Sequence, residues 1–404
     1  MVIMISIFWF LISLTLYCYF GYPLLLWIMA KLRPNPVLKG ICEPSVTVVL
    51  SVWNEEDVIE KKLQNLLSLD YPADKMEIFI GSDGSTDRTN EILSNIRDPR
   101  VHVVINEQRQ GKMATINALV EARHGVPLRR NTNEIIVFTD ARQIFDAKAI
   151  RELAANFSDP AVGCVSGELI FKEKEGEGAT ARGVNLYWNY EKFIRRNESR
   201  LHSMLGATGA IYAIRRALFV PIPTWIVLDD MYVPFQIIRK GCRAILDESA
   251  RAYDHAADSP REEHRRKTRT LFGNYQIFGI FPDLFNPFRS PVAIQLFSHK
   301  FLRVVVPFLM IAVFIMNGII CRGVSRYAPT HMFYQFLFGL QIIFYTMAIT
   351  GALSRHQKYG IFKFISKACY VPYVFCLLNF SALAGFFQFI FGGQDVKWKK
   401  ARGL

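Results

Sequence analysis

The first thirty residues, Met1 to Ala30, contain no charged side chain. A helix of that length crosses a hydrocarbon core of about 30 Å, where only helices and closed barrels satisfy the backbone. A cleavable signal would place basic residues before the apolar run and a small-residue site after it; here Lys31 and Arg33 follow instead. The sequence therefore predicts an anchor over 1–32, with its N-terminus outside and the next segment cytoplasmic. Uncharged runs return at Val304 to Cys321, Tyr327 to Ser354 and Ala368 to Gln394, which predicts three more spans within 304–394. Pro372 and Gly385 leave open whether the last of them crosses or re-enters. Arg355 to Lys367 reads as a cytoplasmic loop, the segment 281–303 as interfacial, and 395–404 as a basic tail.

The formal charge of +13 is distributed over clusters at Arg195, Arg196, Arg215, Arg216 and Arg265 to Lys267. No zinc-finger, RNA-recognition or basic-zipper pattern accompanies them, so the expected partners are a lipid bilayer and an anionic diphosphate, not nucleic acid. The seven cysteines lack C-x-x-C spacing, which predicts neither disulfides nor zinc.

Between the apolar ends, short apolar runs alternate with helical patterns. Val46 to Val52, Ile78 to Ile80, Val101 to Ile105 and Ile135 to Phe138 read as strands of a mostly parallel sheet, whose C-terminal edge binds ligands. That edge receives Trp53, Asn54 and Glu55 from the first strand. The stretch EIFIGSDGSTDRT, Glu77 to Thr89, delivers Asp83 from the second. Asp83 suits a ribose hydroxyl, a base N–H or a phosphate-held metal, or else it closes an Asx-turn. Lys112 opens a helix, where a cation is poorly placed unless an anion joins it; phosphate contact and a solvated lysine are the two readings. Asp140 and Arg142 follow the fourth strand. Val162 to Val165 and Leu169 to Phe171 read as further strand pieces and Lys172 to Gly178 as a loop. The aromatic helix around Trp188 either lines a sugar-acceptor path or packs against the membrane.

The stretches SVWNEE, SDGSTD, RQGK and FTDA, in this order and spacing, resemble the family 2 inverting glycosyltransferases, the group of cellulose, chitin and hyaluronan synthases. The resemblance covers about Val46 to Gln276. It implies an α/β GT-A fold, Rossmann-like with a mostly parallel sheet, as a cytoplasmic domain over 33–280 flanked by N-terminal and C-terminal transmembrane helices. It further implies that Asn54, Glu55 and Asp83 lie at the nucleoside, that Lys112 lies near the nucleotide, and that Asp140 opens the family's DxD metal motif for Mg²⁺ or Mn²⁺. Arg142 replaces the second carboxylate of that motif. Its guanidinium either neutralises diphosphate charge itself or makes a surface contact while Asp140 holds a metal with another ligand.

LGATGAIYAIRR resembles the acceptor-side segment, with Gly206, Thr208 and Gly209, and Trp188 joins that side. Asp229 and Asp230 match the family's TED motif, with Asp230 as catalytic base and Asp229 in support; HRRKTRTLFGNYQ aligns with QxxRW, where only Arg269 matches and Thr270 replaces the tryptophan. The expected protein is a multi-pass enzyme of the bacterial inner membrane that moves a sugar from a nucleotide sugar, UDP-linked, to a polysaccharide or lipid-linked acceptor. The alternatives are a synthase that also translocates its product, with an oligomer or export partner, and a non-catalytic scaffold.

Overall fold

A computed structural model describes residues 2–122, 134–172, 179–255, 260–323, 329–354 and 362–392. Its centre is one sheet of eight strands: β1 Val46–Val52, β2 Met76–Asp83, β3 Val101–Asn106, β4 Ile135–Thr139, β5 Ile144–Phe145, β6 Val162–Lys172, β7 Tyr212–Arg215 and β8 Arg243–His255. They lie in the order β3-β2-β1-β4-β7-β6-β8-β5. The first four are parallel, β7 is antiparallel to both neighbours, β8 runs parallel to β6, and β5 is antiparallel to β8.

The helices are α1 Val2–Leu16, α2 Tyr22–Leu32, α3 Ile59–Leu67, α4 Thr89–Ser94, α5 Lys112–Ala122, α6 Ala149–Ala155, α7 Ala179–Leu201, α8 Asp229–Arg239, α9 Pro260–Ile280, α10 Ala293–Gln295, α11 Leu302–Gly323, α12 Pro329–Ser354 and α13 Phe362–Phe391. The near-continuous apolar strands follow from burial on both faces. Val48, Leu50, Ile78 and Ile80 face one core layer with Ile59, Leu63 and Leu66 of α3. Their neighbours Val49 and Phe79 face the other, with Ile116 and Leu119 of α5 and Phe235 of α8. Strand period two thus sorts the sequence into two layers and holds the polar strand ends at one edge.

Among the described residues, four stretches are long and apolar enough to cross a membrane: Val2–Leu32, Ala293–Arg322, His331–Leu353 and Ala368–Phe391. The first joins α1 to α2 through a π-helical turn, Tyr17–Gly21. The second begins inside the segment read as interfacial, because the π-helical turn Leu296–Phe301 carries the chain straight into α11.

Three differences from the sequence expectation have physical causes. The two pieces read before Lys172 are one strand, β6, whose register shifts twice against β8 and so blurs its alternation. The linker Pro34 to Pro44 is a packed strap: Asn35 N–H donates to Arg200 O at 2.7 Å, and Leu38 N–H donates to Asp159 Oδ2 at 3.2 Å. The helix expected from Asp87 to Ile96 contracts to α4, because Asp87 Oδ1 accepts the Thr89 N–H at 3.0 Å and acts before the helix begins. The loop expectation over 173–178, most of that over Arg355 to Lys367, and the basic tail lie outside the described residues.

Candidate active site

The loops after β1 and β2 are laced together. Asn54, at φ 54°, donates its N–H to Ser85 Oγ at 3.1 Å and accepts the Thr86 N–H at 2.8 Å. The buried Glu55 donates its N–H to Thr89 Oγ1 at 2.9 Å, and Glu56 Oε2 accepts the Arg88 N–H at 3.0 Å. Asp83 is buried and accepts three bonds: Oδ1 takes Gln110 N–H at 2.7 Å and Gly111 N–H at 3.1 Å, and Oδ2 takes Gly111 N–H at 2.9 Å. Asp83 therefore grips the loop that carries Lys112, a role the sequence alone did not suggest. Beside it the Arg109 guanidinium stacks 3.7 Å from the Trp53 ring centre, leaving a flat cationic surface at this edge.

Lys112 Nζ donates to Asp140 Oδ1 at 3.0 Å and Asp229 Oδ1 at 3.3 Å. Burial would lower its pKa, but Asp140 and Asp229 outweigh that and raise it, so Lys112 stays cationic. The Asp140 side chain is 42% exposed. Arg142 turns toward β8, with Nη2 3.6 Å from Asp254 Oδ2, which also accepts Gln143 Nε2 at 2.6 Å. Below this turn sits Lys62 of α3, fully buried, donating to Thr139 Oγ1 at 2.9 Å and to Gln143 O at 2.7 Å. Burial lowers its pKa to about 7 against the pull of Asp140. Lys62 is not legible in the sequence because a lysine in an amphipathic helix reads as solvated.

Asp229 and Asp230 open α8. Asp229 is buried and accepts Tyr212 O–H on Oδ2 at 3.2 Å, with Lys112 on its other oxygen. Asp230 Oδ2 lies 3.4 Å from where a Cβ on Gly209 would stand. Burial first, and Asp229 second, push the Asp230 carboxyl up to about 6, with Lys112 and Arg195 opposing. Pro234, inside α8, has no N–H to bond the carbonyl four residues back. That carbonyl, Asp230 O, instead accepts Ala207 N–H at 2.6 Å and ties the 206–209 loop to the aspartate. Gly206 in that loop has φ +105°, and a Cβ there would meet Met231 Cγ at 2.9 Å, so the turn requires glycine.

Arg195 of α7 completes the loop from below. Its Nη1 donates to Thr208 Oγ1 at 2.9 Å, and its Nη2 donates to Gly206 O at 3.0 Å and Ser166 Oγ at 3.3 Å. Arg195 and Arg215 are thus structural, not part of a basic surface, since Arg215 donates to the carbonyls of Val162, Phe157 and Asp159. Trp188 is also reassigned: its indole N–H donates to Leu169 O at 3.1 Å and its ring packs on Phe171, so it belongs to the β6 side of the core. Burial lowers the pKa of Arg269 on α9, and the charges of Asp229, Asp140 and Asp230 oppose that lowering. The edge thus gathers Lys112 and Arg269 as cations beside Asp140, Asp229 and Asp230, an arrangement that can receive a diphosphate and remove a proton next to it.

Residues 47–220 match the family model described as Glycosyl transferase family 2. The poly-beta-1,6-N-acetyl-D-glucosamine synthase of Staphylococcus aureus (strain MSSA476) is 22% identical over 262 residues, 63% of this chain and 60% of that protein. A beta-monoglucosyldiacylglycerol synthase of Synechocystis sp. is 28% identical over 173 residues, 39% of this chain and 34% of that protein. The chain therefore spans less than two thirds of these curated relatives. Among solved structures, a mannosyltransferase from Pyrobaculum calidifontis in complex with GDP-Man and Mn²⁺ aligns with a TM-score of 0.69 at 21% identity, over 95% of this chain and 99% of that one.

Proposed function

From a chain that carries a family 2 glycosyltransferase domain of GT-A fold, we propose an enzyme that transfers a sugar, with inversion, from a nucleotide sugar to a polysaccharide or lipid-linked acceptor at the cytoplasmic face of a bacterial inner membrane. The observation that carries this is Asp230. No hydrogen bond to its carboxylate is present among the described residues, its pKa is raised to about 6, and it stands against Gly209 of the acceptor-side loop. A carboxylate tuned toward neutrality and within reach of a bound hydroxyl serves as general base for direct displacement. Lys112 and Arg269 would bind the diphosphate and stabilise its charge as the sugar leaves. Asp229, held by Tyr212 and Lys112, keeps α8 in register.

The nucleoside end would lie along Asn54, Glu55, Trp53 and Arg109, with Asp83 acting through the 109–112 loop. The catalytic body, 33–280, would sit between the anchor 1–32 and the membrane segments 281–303 and 304–394. For the donor, UDP-linked sugars are favoured by the resemblance to polysaccharide synthases; the mannosyltransferase of the same fold was solved with GDP-Man.

A divalent ion is compatible with this site in one manner. Among the described residues no group of three or more His, Cys, Asp or Glu side chains can hold a metal. Asp140, half-exposed with one oxygen on Lys112, would share Mg²⁺ or Mn²⁺ with the donor diphosphate, a common donor set for such ions. When bound, the ion supplies positive charge against the departing diphosphate. The deciding experiment is nucleoside-diphosphate release by the full chain in nanodiscs over a panel of UDP- and GDP-sugars, with Mn²⁺, Mg²⁺ or chelator. Release with one donor is expected. Silence across the panel, with and without added membrane lipid and oligosaccharide acceptors, together with no UDP or GDP binding, would reject the reading.

A further inference from the structure

Arg269 stands on a helix that is itself held by the membrane unit. A Cβ on Gly385 of α13 would lie 3.0 Å from the Phe272 amide nitrogen, 3.2 Å from Thr268 O and 3.2 Å from Leu271 Cβ. These atoms belong to the turn of α9 that bears Arg269, so the two backbones touch at that turn, while Arg269 itself shares the opposite face with Gly273 and Gln276. The contact extends in both directions. His264 Nδ1 and Ser381 Oγ are 2.8 Å apart, the His264 and Phe380 rings stack at 5.6 Å, and Tyr275 stacks on Phe389 at 5.6 Å. Ser381 and Gly385 are four residues apart, hence on one face, the small-xxx-small spacing that lets membrane helices approach closely.

On the other side of α9, a Cβ on Gly273 would meet Leu228 Cγ at 2.5 Å, and Leu228 directly precedes the two aspartates of α8. Gln276 reinforces that contact, accepting Val227 N–H at 3.2 Å and donating to Trp225 O at 3.0 Å. The arginine helix is therefore clamped between the last apolar helix and the segment leading into the catalytic aspartates.

We propose that Gly385 is a positioning residue: the close approach of α13 to α9 sets the distance from Arg269 to the donor diphosphate, so a transmembrane helix takes part in building the donor site. The proposal rests on the reading of Arg269 as a diphosphate contact. A bulky side chain at 385 would push the Thr268–Phe272 turn away and withdraw the guanidinium while leaving β1, β2 and the nucleoside edge in place.

The test is titration of the full chain in nanodiscs with UDP and GDP, using uridine and guanosine as phosphate-free controls, for Gly385→Ala, Gly385→Leu, Arg269→Ala and the double variant Gly385→Leu/Arg269→Ala. Gly385→Leu should weaken diphosphate binding about tenfold and leave nucleoside binding unchanged, as expected for a displaced charge-assisted contact. Gly385→Ala adds one methyl and should weaken it about two- to threefold, which keeps the test open if the leucine variant fails to fold. The double variant should bind no worse than Arg269→Ala, because a group already absent cannot be displaced. Amide exchange over 265–272 should rise in Gly385→Leu, with the β1 and β2 peptides unchanged. Losses that multiply in the double variant, or a Gly385→Leu protein that binds like the parent, refute the positioning role. Parent-like diphosphate binding by Arg269→Ala refutes the site reading and the proposal with it.

Discussion

Asp83 and Asp230 are the same residue type on the same ligand edge, and their surroundings treat them in opposite ways. Asp83 accepts three bonds from two backbone N–H groups and holds a loop. Asp230 has none among the described residues, lies next to a second carboxylate, and binds its proton more tightly than a free aspartate. A carboxylate engaged by backbone N–H groups organises a loop, whereas one without such bonds keeps its full capacity to accept for a substrate. The motif residues divide the same way: Asn54, Glu55, Ser85 and Thr89 brace one another, while Asp230 has no such bond to its carboxylate among the described residues.

The largest test of this contrast is Asp230→Asn, which should lower transfer by about 10²- to 10⁴-fold while UDP or GDP affinity is retained. In the parent, the turnover rate should climb with pH through about 6 as Asp230 ionises, a rise read from a pH–rate profile. The same variant should melt at a higher temperature at pH 7. In the parent, the folded pKa of Asp230 is raised above the ordinary value of 3.8, so the aspartate favours folding below 3.8 and loses that contribution as pH rises to about 6. Asparagine, never charged, avoids the loss, and scanning calorimetry at pH 7 would read the difference. A drop in melting temperature would break the comparison.

Asp83→Asn should do the reverse. It replaces one acceptor oxygen with a donor facing the 109–112 loop at Gly111 N–H, and should cost about 1–3 kcal/mol in denaturant unfolding along with weaker diphosphate binding. The smallest effect belongs to Arg142→Ala. Arg142 is 48% exposed in a 3.6 Å pair with Asp254, worth at most about 1 kcal/mol, and its removal should leave the metal dependence of transfer unaltered. A changed Mn²⁺ or Mg²⁺ requirement would instead place its guanidinium on the diphosphate.

The sequence was most legible where apolar runs end abruptly in polar turns, since each such end falls on the ligand edge: Asn54, Asp83 and Asp140 all lie there. It was least legible where a residue's role depends on a distant partner. Lys62 reads as a solvated helix lysine until β4 is laid over it. Arg195 reads as part of a basic patch until the 206–209 loop closes on it. β8 went unrecognised because its alternation is interrupted by charged residues at a bulged pairing with β6. Trp188 has the composition of a sugar platform, yet the β6 backbone claims its N–H. Patterning along the chain reports burial; only long-range pairing decides which polar groups remain available.

The docking of α9 on α13 also bears on how the protein is made. Synthesis runs from the N-terminus, so Arg269 emerges well before Gly385, by on the order of ten seconds at about 5–20 residues per second. Throughout that interval the sheet, Lys112 and the aspartates of α8 can assemble, but the helix bearing Arg269 has no α13 to lie against. Docking of α13 then completes the cluster of charges, and a chain arrested before that helix is made would carry a folded sheet with an unfinished site.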